Sequence, residues 1–388
     1  MADQNKSPCI FFAVAEISAD IHAAFLARSI LHKLPTARLF GCGGIEMAKA
    51  GIEIDVETAE LGYIKIRESW VTPSNIKRAH HRLHHLVCER RPDLAILVDS
   101  ERFNGTLIKF LAKQGIPTVY YLSPQVAFWA PWRARKYARL SNLIIPAFSS
   151  ELNLFKRAGA RVKWVGHPLL DVLNPCLTDI SPKAPPHPSN SDPILIGLMP
   201  GSRLQEINLF TPIILQSVAM MSAAQPGLSF VLPIASKHLA ERITRMIEED
   251  GLNDLITVVD TEQHLWIKRC NLLLASTGTV TLEAAILGTP MISFYKLNPI
   301  TYIVARALVR TRFIALPNIV LNRKIVPELI QSQFNPKNLA QTALSLINDP
   351  ERYEKMVADL QEVRNALGEK GAIDRAADLI VTELRVGK

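Results

Sequence analysis

Short, almost uninterrupted apolar runs alternate with longer helical patterns along most of this 388-residue chain. Consecutive apolar residues over strand length are typical of parallel strands that are covered on both faces. In the first half, the runs are Ile10–Val14, Ala37–Cys42, Leu94–Val98, Thr118–Leu122, Leu143–Ala147 and Val162–Val165. In the second half, they are Ile194–Leu198, Leu228–Pro233, Leu255–Val259, Leu272–Ala275 and Met291–Phe294. Helical patterns such as Ala19–Lys33, Asn75–Arg90 and Gly278–Leu287 separate them, which predicts an α/β fold.

A stretch rich in proline, serine and asparagine divides these runs into two groups. It covers residues 173–193 and has no apolar period, which is typical of a linker. We therefore expect two doubly wound, Rossmann-like domains facing a cleft, an N-terminal domain over residues 1–172 and a C-terminal domain over 194–350. Residues 351–388 show a helical pattern, and the sequence leaves open which domain they pack against.

Composition limits the partners. Apolar residues make up 48% and charged residues 21%, so the chain can bury cores and is not disordered. The net charge of +8 favours an anionic partner, such as phosphates, nucleic acid or an acidic membrane surface. Five widely spaced cysteines without a CxxC pair indicate reduced thiols rather than a disulfide scaffold or a zinc site. The polar start of the chain does not predict a signal peptide.

A phosphate-binding corner is expected directly after the run Ile194–Leu198. Gly201 allows close approach of the backbone to a ligand, and Ser202 can cap a helix that begins there. Arg203 offers a planar fork of donors for phosphate oxygens.

A second corner follows the run Leu272–Ala275 and opens a helix with small and hydroxyl-bearing residues. These residues are Ser276, Thr277, Gly278 and Thr279. Exposed amides at a helix N-terminus suit a diphosphate, and Glu283, about one turn further on, can accept hydrogen bonds from a ribose diol. A dinucleotide GxGxxG, a P-loop and an Asp-x-Asp pair are all missing from the sequence, so the pattern predicts a nucleotide-diphosphate site without a metal.

Seven segments, taken together and in this order, resemble lipid-A-disaccharide synthases, inverting glycosyltransferases of the two-domain GT-B type. They are AEISAD (15–20), RPDLAILVDSERFN (91–104), YYLSPQVAFWAPWRARK (120–136), VGHPLLD (165–171), LMPGSR (198–203), STGTVTLE (276–283) and LPN (316–318). The resemblance implies transfer of 2,3-diacylglucosamine from UDP-2,3-diacylglucosamine to the 6-hydroxyl of 2,3-diacylglucosamine 1-phosphate, which gives UDP and a β-1,6 disaccharide.

The same resemblance implies further properties of the protein. The donor nucleotide binds the second domain, and Asn318 matches a family position near it. No cofactor and no metal are implied. The enzyme is expected to be cytoplasmic and peripheral on the inner face of the cytoplasmic membrane, and a homodimer is left open.

An inverting transfer needs a base beside the acceptor hydroxyl, and acids after strands of the first domain are the candidates. Asp99 directly follows the run Leu94–Val98, while Glu16 and Asp20 follow the first run. Each of them has an alternative role as a helix cap or a loop hydrogen bonder. His167, in the Gly-His-Pro segment, either contacts the substrate or is structural.

The chain also departs from the family pattern. Ala15 and Ala19 stand where the family usually has glycine, and Arg102 stands where it commonly has an aspartate. An arginine cannot act as a base at neutral pH. Two alternatives therefore stay open: a weakly active or non-catalytic homologue that binds nucleotide or lipid, and a UDP-sugar epimerase of the same architecture.

A membrane-facing patch is expected in the first domain because the implied substrates are acylated. Ile64, Ile66 and Trp70 supply apolar contact beside a basic stretch, a combination that suits an anionic interface. Trp129 and Arg133 belong to an aromatic and basic cluster, for which we expect contact with the acceptor phosphate or an acyl chain. The sequence shows no RNA-binding module signature, so nucleic acid is not an expected partner.

Overall fold

The structure is a computed structural model that describes residues 7–58, 73–177, 183–186, 193–234, 237–299, 301–303 and 311–386. The chain divides into two compact units. The first comprises residues 1–172 and 367–388, and the second comprises residues 173–366.

The first unit is built on a parallel, six-stranded sheet. Its strands are β1 (Cys9–Ala13), β2 (Arg38–Gly43), β3 (Glu53–Glu57), β4 (Leu94–Val98), β5 (Thr118–Tyr121) and β6 (Leu143–Ile145). The order across the sheet is β3-β2-β1-β4-β5-β6, so the direction of strand addition reverses between β1 and β4. Such a reversal opens a crevice at the carboxyl ends of the two strands, where doubly wound proteins bind ligands.

Helices connect and cover these strands. They are α1 (Ile17–Lys33), α2 (Ile45–Lys49), α3 (Pro73–Arg90), α4 (Glu101–Lys113), α5 (Val126–Trp129), α6 (Ala134–Leu140), α7 (Leu152–Arg157) and α8 (Leu169–Val172). The fully buried side chains of Phe11, Leu97, Tyr120 and Ile144, one from each of four strands, contribute to the core beneath the helices.

The second unit repeats this plan. Its strands are β7 (Ile194–Met199), β8 (Leu228–Pro233), β9 (Ile256–Val259), β10 (Leu272–Ser276), β11 (Met291–Tyr295) and β12 (Glu328–Ile330). Its helices are α9 (Leu204–Ala224), α10 (Lys237–Glu249), α11 (Gln263–Arg269), α12 (Thr279–Ile286), α13 (Leu316–Leu321), α14 (Pro336–Ile347) and α15 (Pro350–Ala366). The order β12-β11-β10-β7-β8-β9 places the reversal between β7 and β10.

Within the described ranges, α9 is the one helix long and apolar enough to cross a membrane by length and composition. It is instead a core helix of the second unit. Ile207 and Phe210 are buried, and the ring of Phe210 meets that of Phe294 on β11 at 5.7 Å.

The sequence predicts the fold class correctly, with local exceptions. The runs separate two α/β units with parallel sheets, as expected. Strand β3 is missed because its sequence, EIDVE, alternates polar and apolar residues at the edge of the sheet. The run Val162–Val165 is not a strand, since only Val162 forms a bridge, to Ile144.

The C-terminal helical pattern is two helices. Helix α15 belongs to the second unit, and α16 (Ala372–Val386) belongs to the first unit. Gly368 and Gly371, both with positive φ, separate them. Both oxygens of Asp171 accept backbone amides at the start of α16, from Gly371 at 2.5 Å and from Ile373 at 2.8 Å.

Candidate active site

The sequence-predicted residues collect at the reversal point of each sheet. Glu16 follows β1 and Asp99 follows β4, the two strands between which the first sheet reverses. Arg203 follows β7, and the corner 276–279 follows β10, at the reversal of the second sheet. Each unit therefore presents one group of candidate residues where a doubly wound sheet binds its ligand.

The backbone after β4 is held in an unusual conformation. Asp99 and Ser100 both have left-handed φ values, +50° and +49°. Non-glycine residues in this region carry backbone strain, which persists only where the surroundings enforce it. Here the Asp99 carbonyl accepts a hydrogen bond from the Tyr120 hydroxyl at 2.8 Å and one from Asn104 Nδ2 at 3.0 Å. These two hydrogen bonds hold the strained backbone at Asp99 in place.

Asp99 and Glu16 form a carboxyl pair. The hydroxyl of Ser100 donates to Glu16 Oε1 across 3.5 Å and so links the two loops. Burial, followed by the negative charge of Glu16, raises the pKa of Asp99 to about 7, while the Ser100 amide opposes the shift. A carboxyl with a pKa near neutrality is suited to accept a proton from a hydroxyl group.

A third acid, Glu151, lies near this pair and was not found from the sequence. It ends the short helical turn Ser149–Glu151 that follows β6, and it is fully buried. Neither of its carboxyl oxygens has a hydrogen-bond partner in the described part of the chain. Burial raises its pKa well above the usual value, and the charge of Asp99 adds to the shift. Glu151 comes shortly after β6, a third strand of the same sheet, and this position in the sequence could have identified it as a candidate.

Asp20 has a different environment. Its carboxylate accepts the backbone amides of Gly44 at 2.8 Å, Glu46 at 3.0 Å and Met47 at 3.3 Å, and so caps the short helix α2. Burial raises its pKa, and these three amides oppose that shift. With both oxygens engaged in the fold, a catalytic role for Asp20 stays a prediction.

The two alanines in the first loop need no special backbone conformation. Neither Ala15 nor Ala19 is among the residues with positive φ, and Ala19 lies inside α1. Glu16 occupies the N-cap position of that helix without a capping hydrogen bond from its side chain. The loop that carries Glu16 therefore forms without the flexibility of glycine.

His167 is buried and pairs with another histidine. Its ring meets that of His22 edge-on at 6.2 Å, and its Nδ1 accepts the amide of Leu169 at 3.2 Å. Burial lowers the pKa of His167 to about 3 and that of His22 to about 4. Both imidazoles are neutral at pH 7. His22 was not found from the sequence, where a single histidine on a helix gives no signal.

The predicted aromatic and membrane residues are only partly described. Arg133 Nη1 forms an ion pair of 2.7 Å with Glu101 Oε1, which also accepts the Tyr137 hydroxyl at 2.8 Å. Trp129 ends α5, and its side chain lies outside the described part of the chain. Ile64, Ile66 and Trp70 also lie outside the described residues.

In the second unit, a glutamate that the sequence analysis missed organises the loop 201–203. Glu206 Oε2 accepts the amides of Ser202 at 3.2 Å and Arg203 at 3.4 Å, which is a capping-box arrangement. Gly201 has φ +114°, and a Cβ there would lie 2.3 Å from Glu206 Oε2. A side chain at 201 would have to displace the Glu206 carboxylate, and the exposed Arg203 guanidinium lies 3.6 Å from Glu206 Oε1.

The corner after β10 leads into the N-terminus of α12. Gly278 is the N-cap of α12, and the space where its side chain would extend is open. Its amide and those of Thr279 and Val280 belong to the first turn, where helical amides lack intrahelical acceptors. Ser276 is the buried last residue of β10, and Thr277 Oγ1 is 2.9 Å from Ser293 Oγ on β11. The hydroxyl of Thr277 thus fixes the corner to the sheet.

Glu283 projects from the same helix toward a histidine. Its Oε2 lies 3.5 Å from Nε2 of His264 on α11, and this oxygen has no hydrogen-bond partner among the described residues. That oxygen is itself buried, and a carboxylate accepts hydrogen bonds but does not donate them. His264 was not found from the sequence.

Asn318 is fully buried and engaged inside the protein. Its Oδ1 accepts the amides of Ile325 and Val326 at 2.8 and 2.9 Å, and its Nδ2 donates to Val326 O at 3.0 Å and Glu328 Oε1 at 2.9 Å. These four bonds use both lone pairs and both amide hydrogens of the side chain. Direct contact between Asn318 and a nucleotide stays a prediction that this geometry does not favour.

Known proteins match the sequence of this chain across both units. The family model described as lipid-A-disaccharide synthetase matches residues 10–381. The lipid-A-disaccharide synthase of Geobacter sulfurreducens is 34% identical over 98% of this chain and 98% of its own length.

Solved structures share the fold at low sequence identity. MurG of Acinetobacter baumannii superposes with a TM-score of 0.58 at 14% identity, covering 97% of this chain and 99% of its own. A UDP-GlcNAc 2-epimerase of Neisseria meningitidis, solved with UDP-GlcNAc, has a TM-score of 0.55 at 17% identity, covering 98% and 100%. At such identities the likeness concerns the GT-B-type fold alone. The sequence match, by contrast, spans both reversal points, and the chain belongs to the lipid-A-disaccharide synthetase family of glycosyltransferases.

Proposed function

We propose that this protein transfers 2,3-diacylglucosamine from UDP to the 6-hydroxyl of 2,3-diacylglucosamine 1-phosphate and so forms the β-1,6-linked lipid A disaccharide. Family membership supports the reaction. The observation that carries the assignment of residues is the placement of an acid pair at one reversal point and an anion-binding corner at the other.

Asp99 is the proposed base. Its carboxylate takes the proton of the acceptor 6-hydroxyl, the oxygen forms the new bond to the anomeric carbon of the donor, and the bond from that carbon to UDP breaks. Attack on the face opposite UDP inverts the configuration. General-base assistance of this kind typically contributes about 10²–10⁴-fold to the rate. The raised pKa of Asp99 and its fixed backbone support the role.

The second unit is proposed to bind UDP. The amides of Gly278, Thr279 and Val280, at the positive end of α12, and the guanidinium of Arg203 would stabilise the charge on the departing diphosphate. Glu283, one turn into α12, would accept the ribose hydroxyls. Glu206 holds the loop that presents Arg203.

The reaction is proposed to take place at the cytoplasmic face of the inner membrane, because both implied substrates carry acyl chains. The residues predicted to face the lipid, Ile64, Ile66 and Trp70, lie outside the described ranges. The support for this part of the proposal is the acyl chains of the two substrates.

The test is an incubation of the purified chain with UDP-2,3-diacylglucosamine, with and without the monosaccharide 1-phosphate, followed by mass spectrometry. Disaccharide 1-phosphate and UDP should appear only when the acceptor is present, and Asp99→Asn should reduce both. Interconversion of the UDP-sugar without acceptor would identify an epimerase instead. Binding of UDP with no product under either condition would identify a non-catalytic homologue.

A further inference from the structure

Strand β11 supports both groups of candidate residues in the second unit. Thr277, in the corner after β10, has its Oγ1 2.9 Å from Ser293 Oγ on this strand. The hydroxyl of Tyr295, the last residue of β11, donates to Glu206 Oε1 across 3.4 Å. Glu206 lies in the first turn of α9, directly after the loop that follows β7. The end of β11 therefore contacts the surroundings of both loops, and Tyr295 has no role assigned so far.

The two oxygens of Glu206 have different partners. Oε2 accepts the backbone amides of Ser202 at 3.2 Å and Arg203 at 3.4 Å. Oε1 faces the hydroxyl of Tyr295 at 3.4 Å and Nη1 of Arg203 at 3.6 Å. One carboxylate thus contacts both the backbone and the side chain of Arg203, and Tyr295 holds that carboxylate from a different strand.

Charge connects the same three groups. Burial and the charge of Glu206 raise the pKa of Tyr295, and the positive charge of Arg203 opposes that rise. Burial also raises the pKa of Glu206, and the charge of Arg203 again opposes the shift. A phenolic hydroxyl donates one hydrogen bond and accepts others, so Tyr295 can donate to Glu206 while its oxygen stays available to the Arg203 guanidinium.

The ring of Tyr295 is held by packing, whereas the side chain of Arg203 is not. The ring meets that of Phe210 on α9 at 5.6 Å. The side chain of Arg203 is 53% exposed, and that of Glu206 only 14%. An exposed arginine loses rotamer freedom when it binds a ligand, which weakens binding unless neighbouring groups already restrict it. Glu206 and Tyr295 supply such a restriction.

We propose that Tyr295 is a positioning residue for the nucleotide diphosphate: its hydroxyl holds the Glu206 carboxylate, and Glu206 holds the loop and the guanidinium of Arg203 in the arrangement that receives the diphosphate. This inference rests on the proposed function, which supplies UDP as the ligand of the second unit. It concerns binding of UDP and does not depend on the transfer step.

The test is a double-mutant cycle in the full chain, with UDP binding measured by calorimetry. Tyr295→Phe keeps the ring and removes the hydroxyl, and it should weaken UDP binding about threefold to tenfold. Added to Arg203→Gln, the same change should cause no further weakening, because the residue through which Tyr295 acts is then missing. In kinetics, Tyr295→Phe should raise the KM for the UDP-sugar and leave the KM for the acceptor unchanged.

Tyr353→Phe is the matched control. The hydroxyl of Tyr353 donates to the carbonyl of Asn271 at 2.7 Å, just before the amino end of β10 and in the same unit. This variant removes one tyrosine hydroxyl and its hydrogen bond at the end of the strand opposite the corner. It should keep the affinity for UDP.

Three results would overturn the inference. They are an unchanged UDP affinity in Tyr295→Phe, an equal weakening by Tyr353→Phe, and an equal effect of Tyr295→Phe with and without Arg203. The last result would mean that the hydroxyl contacts the ligand itself or acts on the fold. Failure of the proposed transfer is distinguishable, because UDP binding with the expected coupling but without disaccharide would refute the reaction and support the role of Tyr295.

Discussion

The side-chain amide of Asn104 donates a hydrogen bond of 3.0 Å to the carbonyl of Asp99 and so ties the first turn of α4 to the strained end of β4. The same Nδ2 lies 3.0 Å from the carbonyl of Val98 and 3.3 Å from that of Ala13 on β1. One buried asparagine thus joins the two strands between which the first sheet reverses.

Replacement of Asn104 by alanine should therefore lower both activity and stability. The left-handed backbone of Asp99 loses a support, so kcat should fall at least tenfold, and leaving buried carbonyls without a donor costs about 1–3 kcal/mol. Asn142→Ala is the control, since Asn142 Oδ1 accepts the Thr118 amide at 2.9 Å at the amino end of β5. It should change stability without changing kcat. Urea unfolding and steady-state kinetics on both variants test the difference.

The rate should depend on pH through Asp99. Only the ionised carboxylate of Asp99 can accept a proton, and the pKa of Asp99 is raised to about 7. The value of kcat/KM should therefore be low below pH 7 and should rise as the pH increases through about 7. Asp99→Asn should lose about 10²–10⁴-fold in kcat and abolish this limb. Asp93→Asn, just before the start of the same strand, should keep the profile, since the Asp93 carboxylate accepts the Cys9 amide far from Asp99. An unchanged profile in Asp99→Asn would exclude the proposed base.

Glu151 should make the first unit less stable as the pH rises. Its pKa is raised in the folded state, so above the usual glutamate range the unfolded chain has lost a proton that the folded chain still holds. Stability then falls with increasing pH until the folded carboxyl also ionises. Glu151→Gln cannot lose a proton, and its stability relative to the unmodified protein should increase from pH 4 to pH 8.

Denaturant unfolding across this range, with Glu57→Gln as control, tests the prediction. Glu57 is exposed on the edge strand β3, and its replacement controls for the loss of one glutamate at the surface. A difference for Glu151→Gln that does not change with pH would mean that burial does not raise the pKa of Glu151 in the folded protein.

Gly201 should be essential for nucleotide binding and not only for folding. A Cβ at this position would lie 2.3 Å from Glu206 Oε2 and 2.9 Å from Glu206 Cβ, so Gly201→Ala must displace the side chain that accepts the Ser202 and Arg203 amides. We expect at least tenfold weaker UDP binding by calorimetry. Gly227→Ala is the matched control, since Gly227 also has positive φ, +84°, but nothing within 4 Å of the added methyl group. Gly227→Ala should lower the free energy of unfolding by roughly 1–2 kcal/mol, because of the backbone conformation alone, and leave UDP affinity unchanged.

Most strands can be predicted from the sequence because each is marked by a pattern of neighbouring residues. Runs such as Leu94–Val98 are buried over their whole length, and burial on both faces requires consecutive apolar residues. Strand β3 lies at the sheet edge and is half exposed, so its alternating sequence carries no such signal. The run Val162–Val165 has the composition of a strand, but only Val162 forms a bridge, and pairing depends on neighbours that are distant in sequence.

Candidate residues could be found in the sequence where motifs follow strands, whereas groups whose unusual environment depends on packing were missed. Asp99 and Gly201 stand directly after strands, and the parallel topology alone brings such residues to the binding edge. The carboxyl of Glu151 is unusual only because the folded chain buries it, and no local pattern records that. Asn318, in a matched motif, uses its side-chain hydrogen bonds to hold the loop 325–328, and its predicted contact with the nucleotide stays a prediction.

Glu283 should discriminate the ribose of the bound nucleotide. Its carboxylate, one turn after the corner 276–279 on α12, offers hydrogen-bond acceptors to the ribose hydroxyls. Glu283→Gln should weaken UDP binding about tenfold, the loss of a hydrogen bond to a charged group. The effect of Glu283→Gln on the binding of 2′,3′-dideoxy-UDP should be small, because the ribose of that ligand has no hydroxyls to donate.

Glu262→Gln serves as the control, because Glu262 is an exposed acid just before α11. Equal weakening of both ligands by Glu283→Gln would mean that the carboxylate acts on the fold of the corner and does not contact the ribose.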